Sequence, residues 1–253
     1  MTFSRDEFLG GKVVVRQPLD GYRAGADPVF LAAAVAAKPG ERVLELGCGS
    51  GVALLCLAAR VPGLALTGVE RNPEAAKLAR ENFALNAGLD TGSREIVTAD
   101  LAQLPDGVTA TGFHHVIANP PFFDRNDGSK SVDAGREAGR GEETPLATWI
   151  DVAVRRLLPK GTLTLVHRAE RLPQCLAALD GRMGGASVLP LVARAGRPAK
   201  SMILRAKKGS KTPFRIESPF VLHEGDHHEK DGDSYTTAAQ AVLRKGEALP
   251  LGR

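Results

Sequence analysis

Between Arg42 and His167 the sequence alternates short apolar runs with longer stretches of helical period, and few architectures accept that pattern. The β-type runs are Arg42–Gly47, Leu64–Glu70, Arg94–Ala99, Phe113–Ala118 and Gly161–His167. The helical stretches are Val52–Arg60, Pro73–Ala87 and Leu146–Leu158. Within Pro73–Ala87, residues Glu74, Lys77, Leu78, Glu81, Asn82 and Leu85 recur near a period of 3.6. Asn72 stands where an N-cap belongs, and Pro73 occupies the first helical position, where a missing N–H costs nothing. Such alternation predicts an α/β fold, its sheet mostly parallel and covered by helices on both faces. Two later runs, Ala186–Ala193 and Lys200–Lys207, are joined by a turn at Gly196-Arg197-Pro198 and bring the predicted sheet to seven strands.

The flanks are simpler. Lys12–Arg16 reads as a strand and Ala26–Ala37 as an Ala-rich helix starting near Asp27-Pro28, so residues 1–40 are expected to pack on a core of residues 41–253. Residues 124–144 are charged, rich in Gly and Ser, and without periodicity, which predicts a flexible loop. From Ser210 onward the chain is polar, and only Thr236–Arg244 has helical character.

Composition excludes several classes. With 43% apolar residues in 253, the chain has enough apolar side chain for a proper core. Apolar runs of about ten residues fall short of the ~20 that span a bilayer, and MTFSRDEFLGGK lacks the apolar stretch of a signal peptide. Three cysteines, Cys48, Cys56 and Cys175, form no CxxC pair, which favours a reducing compartment and a cytoplasmic location. The net charge of +4 permits a polyanionic partner without requiring one.

The strongest local signal is Glu45-Leu46-Gly47-Cys48-Gly49-Ser50-Gly51, which follows a strand and opens a helix. Glycines let the backbone turn tightly and let a ligand approach closely, and a helix N-terminus favours an anionic group. A dinucleotide fingerprint would need glycine at position 52, where Val52 stands. Glu70 ends the second strand, where a carboxylate accepts both hydroxyls of a ribose. Asp100 ends the third, with Leu101 next to it, at the same end of the predicted sheet. Taken singly, either acid can also be a helix cap or a loop residue.

The fourth strand runs into Asn119-Pro120-Pro121-Phe122-Phe123. Two prolines forbid ladder or helix there, and Pro120 pushes Asn119 out of the α region. The result is a stiff corner at the carboxyl end of a central strand, the end at which open α/β sheets bind ligands. Asn119 offers a side-chain carbonyl, Pro120 a backbone carbonyl and Phe122 a flat apolar face. Two acceptors and a ring suit a planar group bearing –NH2, whose nitrogen lone pair they would aim at an electrophilic methyl.

Together, Glu45, Gly47, Gly49 and Gly51 resemble motif I of class I S-adenosylmethionine-dependent methyltransferases, and the Asn-Pro-Pro-Phe corner resembles that of the amino-methyltransferases. Upstream, Gln17, Tyr22-Arg23-Ala24-Gly25-Ala26-Asp27 and Leu31 resemble the tRNA(Val) adenine-37 N6-methyltransferase family, and the resemblance extends from about Lys12 to Lys207. It implies a Rossmann-like class I methyltransferase fold and S-adenosylmethionine as cofactor. The cofactor would be held by Glu45, Gly47, Gly49, Gly51, Glu70, Asp100, Leu101 and Asp27. Asn119, Pro120 and Phe122 would be catalytic, and Tyr22, Arg23 and Phe123 would bind substrate. It also implies RNA, most naturally tRNA, as the partner. Asp27 has a plainer reading as a helix N-cap. One departure is His115, where the family often has Asp; a histidine there reads as a packed core residue.

From Arg194 to Arg215 stand eight Lys/Arg and no Asp/Glu, a run that could track phosphates or protect a sheet edge. Arg125, Lys130, Arg136 and Arg140 in the long loop could close over a nucleotide. The cluster His223-Glu224-Asp226-His227-His228-Glu229 reads as a solvated loop, and no metal is expected. Alternative functions for the same fold are a guanine N2 methyltransferase on ribosomal RNA and a glutamine N5 methyltransferase on protein. A non-catalytic nucleotide-binding module is the alternative of a different class.

Overall fold

The structure is a computed structural model and describes residues 2–21, 23–121, 123–124, 141–142, 144–179, 181–225 and 234–251. The strands are β1 (Phe3–Phe8), β2 (Val13–Pro18), β3 (Arg42–Leu46), β4 (Leu64–Glu70), β5 (Thr91–Thr98) and β6 (Phe113–Ala118), the two-residue β7 (Phe123–Asp124) and β8 (Gly141–Glu142), then β9 (Leu157–Arg168), β10 (Met183–Val192), β11 (Ser201–Lys208), β12 (Arg215–Ile216) and β13 (Phe220–Val221). The helices are α1 (Asp27–Ala34), α2 (Val52–Arg60), α3 (Pro73–Leu85), α4 (Asp106–Thr109), α5 (Leu146–Arg156), α6 (Leu172–Leu179) and α7 (Thr237–Gln240), the last running into a π-helical turn over Ala241–Lys245.

The main sheet has the order β12-β10-β11-β9-β6-β3-β4-β5, with β13 also on β10. The five strands from β9 to β5 are mutually parallel, while β11 runs antiparallel between β9 and β10. All seven expected strands are present. The two-residue β12 and β13 raise the sheet to nine strands, pairs too short to leave a periodic signal in sequence. One core layer joins α1 and α2 to Val43, Ile117, Val166 and Ile203; the other joins α5 and α6 to Leu44, Leu46, Leu163 and Leu204. Alternation of side chains along each buried strand feeds both layers.

The N-terminus contains more than the single strand read from sequence. Phe3–Phe8 pairs antiparallel with β2, and the hairpin docks on α3 through two asparagines. Asn86 accepts from the Val14 N–H (3.0 Å) and donates to the Val14 carbonyl (2.7 Å). Asn82 accepts from the Arg16 N–H (2.8 Å) and donates to the carbonyls of Arg16 (3.1 Å) and Ser50 (3.0 Å). Asn72 caps α3 as expected, its Oδ1 accepting from the Glu74 and Ala75 N–H groups at 2.9 and 3.2 Å. Among the described residues no helix is long and apolar enough to cross a membrane.

Candidate active site

The glycine turn and the corner lie side by side because β3 and β6 are neighbours in register. Leu46 pairs with Ala118, so Gly47 and Asn119 leave the sheet at the same level. Gly47, Gly49 and Gly51 all have positive φ (66°, 53° and 86°), conformations costly for residues with a Cβ. They differ in surroundings. A Cβ on Gly47 would lie 2.5 Å from Trp149 Cη2, and one on Gly51 would lie 3.2 Å from Phe83. Around Gly49 no atom lies within 4 Å of such a Cβ, so a ligand can come up to the backbone there.

Glu45 is buried, and its Oε2 has no hydrogen-bond partner. Burial, with the Glu70 charge adding to it, pushes its carboxyl well above the usual range, while a backbone hydrogen bond from Leu54 opposes the shift. A buried carboxyl with a free oxygen fits a ligand ammonium. Glu70 sits at the end of β4 and is already engaged. Its Oε2 accepts from the Gly49 N–H (2.9 Å) and its Oε1 from the Asn72 N–H (2.9 Å). Each oxygen retains a further lone pair for a hydroxyl. Asp100 is exposed, and its Oδ1 accepts from the Ala102 N–H (2.8 Å) as the cap of a short 3-10 turn, so the capping reading holds for this acid. Leu101 is a buried side chain just beyond it. An open cleft of about 510 Å³ between the ends of β4 and β5 is lined by Arg71, Asn72, Pro73, Thr98, Ala99 and Asp100.

At the corner, Pro120 is buried and all described peptide bonds are trans. Asn119 Oδ1 is buried with no hydrogen-bond partner among the described residues. Phe122 and Tyr22 lie outside the described residues, as do most of the 124–144 loop and residues 226–233 of the His-rich segment; Phe123 is described only as backbone in β7. Of that segment, His223 stacks on Tyr235 (4.7 Å) and pairs with Ser234 Oγ (3.0 Å). Among the described residues no three His, Cys, Asp or Glu side chains gather as a metal site.

Asp27 does not cap α1. Ala26 holds that position without a side-chain hydrogen bond, and Asp27 is the first helical residue. Burial raises its carboxyl above the usual range, offset in part by Arg168. Arg23 is directed to the hairpin: its guanidinium bonds Asp6 at 2.7 Å, and Gln17 stitches the same segment through Asp6 (2.7 Å) and the Ala24 N–H (2.7 Å). His115 is a packed residue, its Nε2 2.9 Å from Glu41 Oε2. Trp149 was invisible to the motif reading. The spacing of Leu146, Trp149, Ile150, Ala153 and Val154 marks a buried helix face, but only the fold brings the indole onto Gly47.

The described residues fit S-adenosylmethionine: a buried carboxyl for its ammonium, an open glycine backbone for its amino-acid end, and a cleft with Asp100 in its lining for its nucleoside.

A family model described as "Methyltransferase small domain" matches residues 26–189. A tRNA1(Val) (adenine(37)-N6)-methyltransferase from Porphyromonas gingivalis is 34% identical over 158 residues, covering 59% of this chain and 60% of that protein. A protein of the same name from Dickeya chrysanthemi is 30% identical over 232 residues, covering 88% and 86%. Among solved structures, a predicted O-methyltransferase from Agrobacterium tumefaciens superposes with TM-score 0.72 at 26% identity, covering 88% of this chain and 98% of that one. The Thermus thermophilus 16S rRNA N2 G1207 methyltransferase, solved with AdoMet and guanosine, shares the fold at TM-score 0.58 and 20% identity, covering 82% and 50%. The sheet order, the glycine turn and a family match across most of the chain agree, and the chain belongs to the methyltransferase small-domain family, with the fold of the class I S-adenosylmethionine-dependent methyltransferases.

Proposed function

We propose that the protein is an S-adenosylmethionine-dependent N-methyltransferase whose acceptor is an exocyclic amine, adenine N6 in a tRNA. The observation that carries this reading is Asn119 Oδ1, a buried acceptor with no partner among the described residues, at the carboxyl end of β6. Leaving such a group unpaired costs about 1–3 kcal/mol, which a ligand donor would recover.

S-adenosylmethionine supplies an electrophilic methyl group carried on a sulfonium. The remaining work falls to the chain. Asn119 Oδ1 and the Pro120 carbonyl take the two amine hydrogens and hold the nitrogen lone pair toward that methyl. Phe122 stacks on the base. Tyr22 and Phe123 border the acceptor, and Arg23, tied to Asp6, fastens the segment that carries Tyr22. Glu45 and the glycine turn hold the amino-acid end of the cofactor, Glu70 its ribose, and Asp100 with Leu101 its adenine. Asp27 lies at the edge between cofactor and acceptor. An amine proton becomes acidic as the new bond forms, so Asn119 and Pro120 need only hold it until solvent takes it. A paired base hides its amine, so the adenine must be unpaired or flipped out.

The names of the similar Porphyromonas and Dickeya proteins support adenine in tRNA. A hydroxyl acceptor has one hydrogen for two oxygens, so the corner suits an amine better. Three buried, unbridged cysteines agree with a reducing cytoplasm. The test is incubation with total RNA and labelled cofactor, followed by nucleoside analysis. N6-methyladenosine in the tRNA fraction is expected; label in N2-methylguanosine, or none in RNA, overturns the reading.

A further inference from the structure

The basic run between Arg194 and Arg215 is not the edge protection that its sequence permits, because β11 is an interior strand between β9 and β10. Nor is the run one stripe. Arg194 donates to the Glu224 and Gly225 carbonyls, Lys208 to those of Val154 and Leu157 (both 2.7 Å), and Arg215 pairs with Glu217 (3.2 Å). Arg205 is half-buried beside Arg215 and Glu217. Four of the eight cations are therefore engaged within the fold. The four exposed ones divide into two pairs, Arg197 with Lys200 and Lys207 with Lys211.

Register puts those pairs at opposite ends of the sheet. Ser201, the first residue of β11, lies opposite Arg168 at the carboxyl end of β9, whereas Lys207, near the other end of β11, lies opposite Thr162 in the middle of β9. The Lys200 carbonyl accepts from the Ala169 N–H at 3.0 Å, so the Arg197–Lys200 turn is fastened to the segment that leaves β9. In the neighbouring strand Ala118 pairs with Leu165, three residues before Arg168, so this edge stands just beyond the Asn119 corner. Arg168 and Arg171 add positive charge there; the nearby acids are Asp27, which faces Arg168, and Glu170, 3.6 Å from Arg168. Exposed cations held on a fastened turn beside the acceptor site suit phosphate oxygens.

We infer that Arg197 and Lys200 form a phosphate-binding rim that seats the backbone of the substrate RNA at the mouth of the acceptor site, and that Lys207 and Lys211 take no part. This rests on the RNA reading above and deepens it.

The experiment compares wild type, R197A/K200A and K207A/K211A for binding to unfractionated tRNA between 50 and 200 mM salt, with KM for tRNA in methyl transfer and cofactor affinity as companion readouts. Two lost phosphate contacts on a flexible strand lower the slope of log affinity against log salt by about 1.4, so over that range the wild type should lose roughly sevenfold more affinity than R197A/K200A. R197A/K200A should also show a raised KM for tRNA with wild-type cofactor affinity, and K207A/K211A should match the wild type throughout. An unchanged slope in R197A/K200A, or an equal loss in K207A/K211A, overturns the rim. Failure of the RNA reading itself is seen separately, as a wild type that neither binds nor methylates tRNA.

Discussion

The Gly49 N–H donates to Glu70 Oε2 at 2.9 Å, so the glycine turn after β3 and the end of β4 are closed by one charge-assisted hydrogen bond. Glu70 Oε1 holds the Asn72 N–H at the same distance, which ties the start of α3 into the same arrangement. The acid thus shapes the turn in addition to any contact with a ribose. Glu70→Ala should cost about 1–3 kcal/mol of stability by leaving two amides short of an acceptor. It should also weaken S-adenosylmethionine binding. Thermal melts with and without cofactor check both effects; a variant stabilised by cofactor as strongly as the wild type removes Glu70 from the site.

Gly47 and Gly49 separate folding from binding. At Gly47 a methyl group would meet the Trp149 ring at 2.5 Å, so Gly47→Ala should destabilise the fold by about 2 kcal/mol or more through overpacking and backbone strain. It should shift the emission of the chain's one tryptophan. Gly49→Ala meets no neighbour and carries only the strain of φ 53°, yet it fills the approach to the backbone. It should melt closer to the wild type and lose cofactor affinity. Chemical denaturation paired with calorimetric titration distinguishes the two.

Asn119→Ala removes an oxygen that bonds nothing among the described residues, so stability should hold. Cofactor affinity should hold as well. Methyl transfer should fall by about a hundredfold or more, the scale of a lost positioning contact. Wild-type turnover in this variant would end the corner model.

His167 supplies a pH signature. Burial, with Arg171 and Arg168 beside it, lowers this imidazole from 6.5 to about 4, and its Nδ1 accepts from the Arg168 N–H (2.8 Å). The unfolded chain binds the proton more readily. The associated stability is therefore full above pH 6.5 and is lost as pH falls toward 4, to a total of about 3 kcal/mol. Urea titrations at pH 7.5 and 4.5 should show a smaller loss for His167→Asn than for the wild type; equal losses would assign the acid sensitivity elsewhere.

Where a local rule sufficed, residues alone were informative. Val52–Arg60 occupies the expected span, and the Asn72-Pro73 start of α3 holds, because both depend on neighbours in sequence. The hairpin was half seen, since FSRDEF has only modest apolar content and is held by its pairing with β2, which is itself fixed by asparagines more than 60 residues away. Helix α6, with Pro173 near its start, left too short a period to read. At the site, the glycines and acids were legible by spacing. That Asp27 leaves the cap position to Ala26, that Glu70 bonds Gly49, and that the basic run splits between two ends of the sheet all depend on register.

Asn82 and Asn86 also close the outer side of β2. Their amides meet the N–H and carbonyl of both Val14 and Arg16, the groups that a further strand would otherwise seek. That side of the hairpin offers no template for pairing with another molecule, so two side chains on one helix guard the N-terminal ribbon against self-association at high concentration.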